Sequence, residues 1–390
     1  MFGYGALGVI LVLYLAAAGL DPGAIGILLT LTLVGDTVIS LVLTTHADRI
    51  GRRRTLIVGA FLMAAAGAVF AGSTGFAVLL VAATLGVLSP SGSEVGPFLP
   101  IEQASLTEVT PSGRRTSIYA WYNLVGSVAT ATGALAAGLA VGALQGAGFP
   151  DLDAYRVVLV GYAALALAIV PTVRLVSSAV EVPAADTSIA RRFGLHRSKG
   201  VVGRLSALFA LDAFGGGLIV QSLIAFWFHE RFGLEAPVLG AIFFGANLLA
   251  AVSALAAARI ASRIGLINTM VFTHLPSNVL LILVPLMPTV ELAILVLLAR
   301  FSISQMDVPA RQSYTMAVVD ADERSAAAGV TGIARTLGAA ISPLIAAPLF
   351  AVPGLASVPF FLAGGLKIVY DLALWRAFRS SKPPDEAGSP

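Results

Sequence analysis

The chain has 390 residues, of which 57% are hydrophobic and 12% charged, and its mean hydropathy is +0.91. Soluble domains carry about 25% charged residues, so this composition excludes a soluble globular protein. The sequence contains no cysteine, which excludes disulfides and zinc–thiolate sites, and its formal net charge is only +3.

Apolar runs of about 20 residues recur along the whole chain, and this length predicts membrane-spanning helices rather than the strands of a barrel. In chain order, the runs predict twelve spans, near residues 3–20, 23–45, 55–73, 76–104, 117–141, 155–176, 203–229, 237–258, 267–287, 291–315, 325–350 and 355–376. Prolines in span 4 and glycines in span 7 predict kinks or close helix contacts there.

The basic residues indicate how the spans are oriented. If the N-terminus lies in the cytoplasm, most Lys and Arg residues fall on cytoplasmic segments, as the positive-inside rule requires. We therefore expect a multi-pass protein of the inner or plasma membrane with both termini in the cytoplasm. The orientation of the spans in the lipid bilayer then accounts for the basic residues, so the pI of 9.3 requires no nucleic-acid partner.

A polar segment divides the twelve spans six and six. We predict an N-terminal six-helix bundle over residues 1–176, a cytoplasmic linker over 177–202, a C-terminal six-helix bundle over 203–378 and a disordered tail over 379–390. The sequence ADRIG at 47–51 recurs as ASRIG at 261–265, at the equivalent place in the second half. This internal repeat predicts duplicated halves, an architecture typical of transporters.

The loop after span 2 carries a motif. Residues 44–56 read TTHADRIGRRRTL and resemble the loop of the major facilitator superfamily, G-x-L-A-D-R-x-G-R-R-x-x-L, although Thr44 and His46 depart from it. The resemblance implies an all-α integral membrane fold with twelve transmembrane helices in two pseudo-symmetric six-helix bundles. It also implies a cytoplasmic gate that contains the matching residues Asp48, Arg49, Gly51, Arg52 and Arg53.

Charged residues inside the spans are the candidate functional residues. An ionisable group at the centre of a membrane helix costs about 2.5–3.5 kcal/mol, so it usually faces a cavity or a pathway. We assign substrate or proton binding to Asp36, Glu94, Asp212, Arg300, Asp307 and Arg335. Glu102 and Arg311, close to the cytoplasmic ends of spans 4 and 10, are assigned to the gate. The alternative is that these charges only fasten helices together.

Two further patterns concern individual spans. Positions 300, 304, 307 and 311 recur at the helical stride, which predicts one polar stripe along span 10. His274 is the one histidine deep in a span. A lone intramembrane histidine usually hydrogen bonds to a neighbouring helix, and Asn278 is its expected companion, so His274 is not assigned to the site.

These features favour a secondary transporter that moves a small organic molecule by alternating access. The sequence contains no phosphate-binding loop, catalytic constellation or metal-ligand set, so nothing in it indicates ATP use, a cofactor or enzymatic activity. It also lacks the repeated selectivity filter that would indicate a channel. We expect a monomer that performs proton-coupled efflux of amphipathic compounds. The alternative is an organic-anion transporter that uses Arg300, Arg311 and Arg335; a membrane-embedded enzyme is a remote alternative.

Overall fold

The protein is helical throughout the part of the chain that the structure describes. A computed structural model describes residues 1–92, 96–110, 115–177, 180–181, 197–320 and 323–379. The helices, in chain order, are α1 (Phe2–Ala17), α2 (Pro22–Ile50), α3 (Arg52–Gly72), α4 (Phe76–Leu85), α5 (Phe98–Val109), α6 (Arg115–Gly146), α7 (Asp151–Leu175), α8 (Lys199–Gly217), α9 (Gln221–Phe232), α10 (Ala236–Ile264), α11 (Leu266–Leu283), α12 (Val290–Phe301), α13 (Asp307–Ala317), α14 (Arg324–Ala351) and α15 (Val358–Phe378).

Most of these helices have the dimensions of membrane spans. Within the described ranges, nine helical segments are long and apolar enough to cross a membrane, and α1 and α4 are shorter apolar helices. Many of their large apolar side chains are exposed on the protein surface, as lipid-facing side chains are. The predicted all-α, multi-pass membrane architecture is confirmed.

Glycine turns connect consecutive helices at two equivalent places. α2 ends at Ile50 and α3 begins at Arg52, so only Gly51 separates them, with a φ of +104°. Gly265, with a φ of +82°, separates α10 from α11 in the same way. Glycine adopts such a positive φ at little cost because it has no Cβ. The repeated sequences ADRIG and ASRIG therefore form the same local structure.

Three predicted spans are interrupted. The span near 76–104 is divided into α4 and α5, and the span near 203–229 into α8 and α9. Pro90 and Pro97 lie in the first break, and the second follows Gly217, so these two breaks fall where proline and glycine predict irregular helix. The third break divides the span near 291–315 into α12 and α13.

The break in the third of these spans corrects the prediction of one continuous helix and one continuous stripe. α12 ends at Phe301 and α13 begins at Asp307. Pro309 lies in the first turn of α13, where its missing N–H is tolerated. If the helix continued backwards, the proline ring would clash with the carbonyl of Gln305. Arg300 and Asp307 consequently lie on two successive helices.

The helices are grouped into two compact units by their contacts. Unit 1 comprises Met1–Arg191 and Val220–Phe244, and unit 2 comprises Arg192–Ile219 and Gly245–Pro390. Within unit 1, α1 packs against α6 and α9, and α3 packs against α7. Within unit 2, α8 packs against α14 and α15, and α11 packs against α15 and α13. The domain boundaries stated from the sequence stay a prediction.

Small residues permit close helix contacts in unit 1. A Cβ added at Gly5 of α1 would collide with the carbonyl of Thr130 on α6, and one added at Gly133 of α6 would collide with the carbonyl of Phe2 on α1. These two reciprocal contacts bring the two helix backbones together without intervening side chains. This is the packing that small residues allow in membranes, where the hydrophobic effect does not drive helices together.

We expect Gly133→Ala to destabilise the protein by about 1–3 kcal/mol, because the added methyl group forces α1 and α6 apart. Thermal unfolding of the purified protein in detergent, followed by intrinsic fluorescence, measures the effect. The matched control is Gly161→Ala on α7, where an added Cβ meets nothing within 4 Å. Equal melting temperatures for the two variants would show that the α1–α6 contact contributes nothing.

Candidate functional site

Unit 2 contains a set of charged side chains that are almost all removed from solvent. Exposure is 9% or less for each of these residues except Arg335, which is partly buried. We call this set the charge cluster. Its members are Asp212 on α8, His274 on α11, Arg300 on α12, Asp307 and Arg311 on α13, Arg335 on α14, and Lys367 and Asp371 on α15.

Asp212 is the centre of the charge cluster. Lys367 Nζ donates to Asp212 Oδ1 at 2.6 Å, and Arg311 Nη1 donates to Asp212 Oδ2 at 3.1 Å. Each carboxylate oxygen therefore binds one cation. Arg311 Nη1 also lies 3.2 Å from Asp307 Oδ2, one turn earlier on α13. These ion pairs join α8, α13 and α15.

Local packing explains how Lys367 reaches Asp212. A Cβ added at Gly215 of α8 would lie 3.1 Å from Lys367 Cγ, and one added at Gly216 would lie 3.6 Å from Lys367 Nζ. The two glycines thus leave room for the lysine stem along α8. Arg311 is held from another side, because its guanidinium lies 5.6 Å from the centre of the Phe209 ring.

A second carboxylate binds the imidazole of His274. His274 Nδ1 lies 2.9 Å from Asp371 Oδ1, and Asn278 Nδ2 donates to Asp371 Oδ2 at 2.9 Å. The other ring nitrogen, His274 Nε2, lies 3.8 Å from Asp212 Oδ1. His274 therefore lies between the two carboxylates and connects Asp371 to the centre of the cluster.

Two arginines in the charge cluster have no described carboxylate in contact. No ion pair joins Arg300 or Arg335 to a described carboxylate, and the Nε atom of each is buried without a hydrogen-bond partner among the described residues. Both guanidinium groups still interact electrostatically with Asp212. Arg300 also lies over the ring of Phe301, at 5.0 Å from the ring centre.

The charges of the cluster do not balance. Four basic groups stand against three carboxylates, so its formal charge over the described residues is +1 when His274 is neutral. A buried charge without a partner is strongly disfavoured, because water no longer solvates it. The cluster can therefore bind an anion, and that anion would restore neutrality.

In unit 1, the structure describes one of the two carboxylates assigned to substrate or proton binding. Asp36 is buried on α2, where the backbone of Gly96 hydrogen bonds to its carboxylate and Oδ1 has no partner among the described residues. Ser40 Oγ donates to the carbonyl of Gly96 at 2.9 Å, which holds α2 against the turn before α5. Glu94 lies outside the described residues.

The motif after span 2 forms a capped helix start. Glu181 Oε2 accepts from the backbone N–H of Arg52 at 2.7 Å, and Glu181 Oε1 accepts from that of Arg53 at 3.1 Å. A carboxylate at a helix N-terminus accepts hydrogen bonds from the free N–H groups, and its negative charge interacts favourably with the positive end of the helix dipole. Gly51 provides the turn that exposes these groups. The side chains of Asp48 and Arg49 lie outside the described part of the structure.

A similar cap occurs in unit 2. Glu323 Oε1 accepts from the backbone N–H of Arg197 at 2.8 Å, and Glu323 Oε2 accepts from that of Ser198 at 2.9 Å, just before α8. Two further residues are assigned to the gate, Glu102 and Arg311. The carboxylate of Glu102 accepts a hydrogen bond from the hydroxyl of Tyr122. Arg311 lies in the charge cluster with Asp212 and Asp307.

The structure adds residues that sequence reasoning did not assign to the site. Lys367 and Asp371 stand four residues apart on α15, a spacing that places both on one helix face. That spacing was the available signal for this pair. His274 lies beside its expected companion Asn278, with Asn278 Nδ2 at 3.2 Å from His274 Nδ1, but its closest charged contact is Asp371. Nothing in the sequence pairs Glu181 with the start of α3.

The combination of several membrane-spanning helices with a buried, unbalanced charge cluster is typical of membrane transporters. Comparison with known proteins agrees: residues 1–343 match the Major Facilitator Superfamily. A protein of Saccharomyces cerevisiae named "Uncharacterized membrane protein YJR124C" is 32% identical over 343 residues, which cover 80% of this chain and 77% of that protein.

Solved transporter structures share the fold. The D-xylose-proton symporter superposes with a TM-score of 0.74 at 13% identity, covering 100% of this chain and 96% of its own. The nucleoside transporter NupG superposes with a TM-score of 0.72 at 14% identity, covering 97% of both chains. The human organic anion transporter MFSD10 (TETRAN) gives a TM-score of 0.58 at 18% identity and 96% coverage of both chains.

The chain therefore belongs to the Major Facilitator Superfamily, as its loop motif indicates. Members of this family carry small molecules across membranes, so the protein is a membrane transporter and not an enzyme. The similarity to the solved structures establishes the fold.

Proposed function

We propose that this protein is a secondary transporter that moves a small organic anion across the membrane by alternating access. The observation that carries the proposal is the excess of basic groups in the charge cluster. Among them, Arg300 is 9% exposed and has no described carboxylate in contact. An anionic substrate supplies the missing negative charge.

The kind of base also favours an anion. Guanidinium groups present several donors in a planar fork, which matches the two oxygens of a carboxylate, sulfonate or phosphate. Arg300 and Arg335 each keep a buried Nε–H without a partner among the described residues. Lys367 and Arg311, by contrast, are already bound to Asp212 and act as support for the site.

A second candidate function is proton-coupled efflux of an amphipathic compound. It rests on Asp36, a buried carboxylate with one oxygen that lacks a hydrogen-bond partner in the described structure. Such a carboxylate can bind and release a proton during transport. This function requires no excess of basic groups, which is why the charge cluster favours the anion.

The proposal retains the cellular setting expected from the sequence. We place the protein in the inner or plasma membrane with both termini in the cytoplasm, because the basic residues concentrate on that side. The transporter acts as a monomer, and an ion gradient or the substrate gradient itself drives it. The turn at Gly51, with Asp48, Arg49, Arg52 and Arg53, belongs to its cytoplasmic gate, together with Glu102.

Matched pairs of anionic and neutral compounds test the proposal. The pairs are lactate and lactamide, benzoate and benzamide, and p-toluenesulfonate and p-toluenesulfonamide, each radiolabelled. Binding to the purified protein is measured by scintillation proximity, since neutral members would leak through liposomes. We expect at least one anion to bind at least about tenfold more tightly than its neutral partner, which corresponds to about 1.4 kcal/mol.

Anions that bind are then followed into proteoliposomes made with and without the protein. Uptake that requires the protein would support transport of an organic anion. Tighter binding of the neutral member in every pair would favour the amphipathic substrate, and binding of no anion would contradict the proposal.

A further inference from the structure

We infer that His274 is the proton-binding residue of the charge cluster and that its protonation is coupled to binding of the anion. This inference rests on the proposed transport of an organic anion. His274 is 6% exposed, lies between two carboxylates and has no role in the ion pairs around Asp212 that Lys367 and Arg311 form.

The hydrogen bonds of the ring leave one nitrogen free to accept a proton. Nδ1 lies 2.9 Å from Asp371 Oδ1. An ionised carboxylate only accepts, so we assign the ring proton of neutral His274 to Nδ1. The Asn278 amide, 3.2 Å from Nδ1, then donates to Asp371 Oδ2 and not to the ring. Nε2 then carries a lone pair. It faces Asp212 Oδ1 at 3.8 Å, which is too long for a hydrogen bond.

Protonation of Nε2 would give the ring a positive charge that attracts the carboxylate of Asp212. A proton from water that binds Nε2 makes the imidazole a donor on both sides, with Asp371 at one nitrogen and Asp212 at the other. A charge-assisted N–H···O bond is about 2.7–2.9 Å long, so the ring needs to move by only about 1 Å toward Asp212.

Asp212 already binds two cations, so protonation of His274 places a third positive charge beside it. This added charge couples protonation of His274 to binding of the anion. Lys367 already binds Asp212 Oδ1, and Arg311 binds Oδ2. The helices packed against α11 carry further charged or titratable groups, namely Arg300 on α12, Asp307 and Arg311 on α13, and Lys367, Tyr370 and Asp371 on α15. Together with Asp212, these groups carry three positive and three negative charges, and Arg335 on α14 adds the fourth positive charge of the cluster.

One more proton raises the formal charge of the described cluster from +1 to +2. A bound monoanion returns the charge to +1, so the proton and the anion stabilise each other in the same buried site. This coupling is reciprocal: protonation strengthens anion binding by the same factor by which the anion strengthens protonation. The proton and the anion then move in the same direction.

The pH dependence of anion binding tests the inference. The probes are lactate, benzoate and p-toluenesulfonate, which stay ionised above about pH 5.5, so that changes in affinity arise from the protein. Between pH 8 and about pH 5.5, we expect the affinity of the unmodified protein for the bound anion to rise about tenfold. A pH-indicator dye in weak buffer should show proton uptake when the anion is added.

His274→Gln removes the proton site and keeps a hydrogen-bonding side chain. We expect this variant to bind the anion at every pH with the affinity that the unmodified protein has at pH 8, without proton uptake. The matched control is His229→Gln at the end of α9, whose ring hydrogen bonds to the carbonyl of Leu234 and which should keep the full pH dependence. If His274→Gln does not fold, Asp371→Asn serves instead and should reduce the proton uptake.

A measurement without an anion separates this inference from the proposed function. The chain has four histidines. With the other three changed to Gln and the remaining one labelled with ¹³C, the ring signals of His274 report its protonation in nanodiscs. An unchanged protonation state between pH 5.5 and 8 would overturn the inference, as would anion binding that is independent of pH. Persistent pH dependence in His274→Gln, lost in Asp36→Asn, would assign the proton to Asp36. If no anion binds, the proposed function fails, and the inference fails with it.

Discussion

Asp212→Asn is expected to destabilise the protein more than any other single neutralisation in the charge cluster. The change leaves Lys367 and Arg311 buried without the carboxylate that both of them bind. Removing one partner of a buried ion pair costs about 3–5 kcal/mol, because the remaining charge is uncompensated. The melting temperature of the purified protein in detergent should fall by several degrees, and transport should be lost.

Asp153→Asn is the matched control for this prediction. Asp153 binds Arg156 at 3.0 Å, a distance similar to those in the cluster, but its side chain is 49% exposed. An exposed pair contributes about 0–1 kcal/mol, so this variant should melt close to the unmodified protein. The double variant Asp212→Asn with Lys367→Gln should recover part of the loss. A melting temperature unchanged by Asp212→Asn would contradict the central role of this carboxylate.

Arg300→Gln is expected to weaken anion binding by about 1.5–3 kcal/mol, the usual value for a hydrogen bond to a charged group. Converted to affinity, this is a loss of about tenfold to 150-fold. No described carboxylate pairs with Arg300, so its removal leaves no described partner uncompensated and the melting temperature should change little. Binding of lactate, benzoate and p-toluenesulfonate, measured beside thermal unfolding, separates the two effects.

Arg300→Lys distinguishes a guanidinium contact from a general effect of positive charge. Lysine keeps the charge but has a single ammonium group, so it should restore binding poorly if the anion is held by the fork of donors. The control is Arg259→Gln on α10, which removes a positive charge from an exposed position. An affinity that stays unaltered in Arg300→Gln would exclude Arg300 from the anion site.

The sequence predicts the membrane architecture because the physical signal repeats in every span. Apolar length and positive charge at the loops point to a multi-pass membrane protein, and the motif at 44–56 points to the family that the comparisons establish. The same reasoning selects Asp212, Arg300 and Asp307 as buried charges, since a charge inside a span is rarely accidental. All three lie in one cluster in unit 2.

The partners of these charges follow less directly from the sequence. Asp212 and Lys367 are 155 residues apart in the chain, and no local sequence pattern predicts their contact. Lys367 and Asp371 were the recognisable pair, through their spacing of four on α15. The break before Asp307 also had a visible cause in Pro309, but only the structure shows that the helix stops there rather than bends.

The contact between Asp212 and Lys367 also affects how the protein is made. Its two residues leave the ribosome 155 positions apart. At about 5–20 residues per second, the aspartate waits about 8–30 s for its lysine. During that time α8 resides at the membrane with a carboxylate that its final partner does not yet neutralise. Arg311 is made before Lys367, so the partner of Asp212 Oδ2 is available first, and the partner of Oδ1 follows only with α15. The set of ion pairs in unit 2 is therefore complete only when α15 inserts.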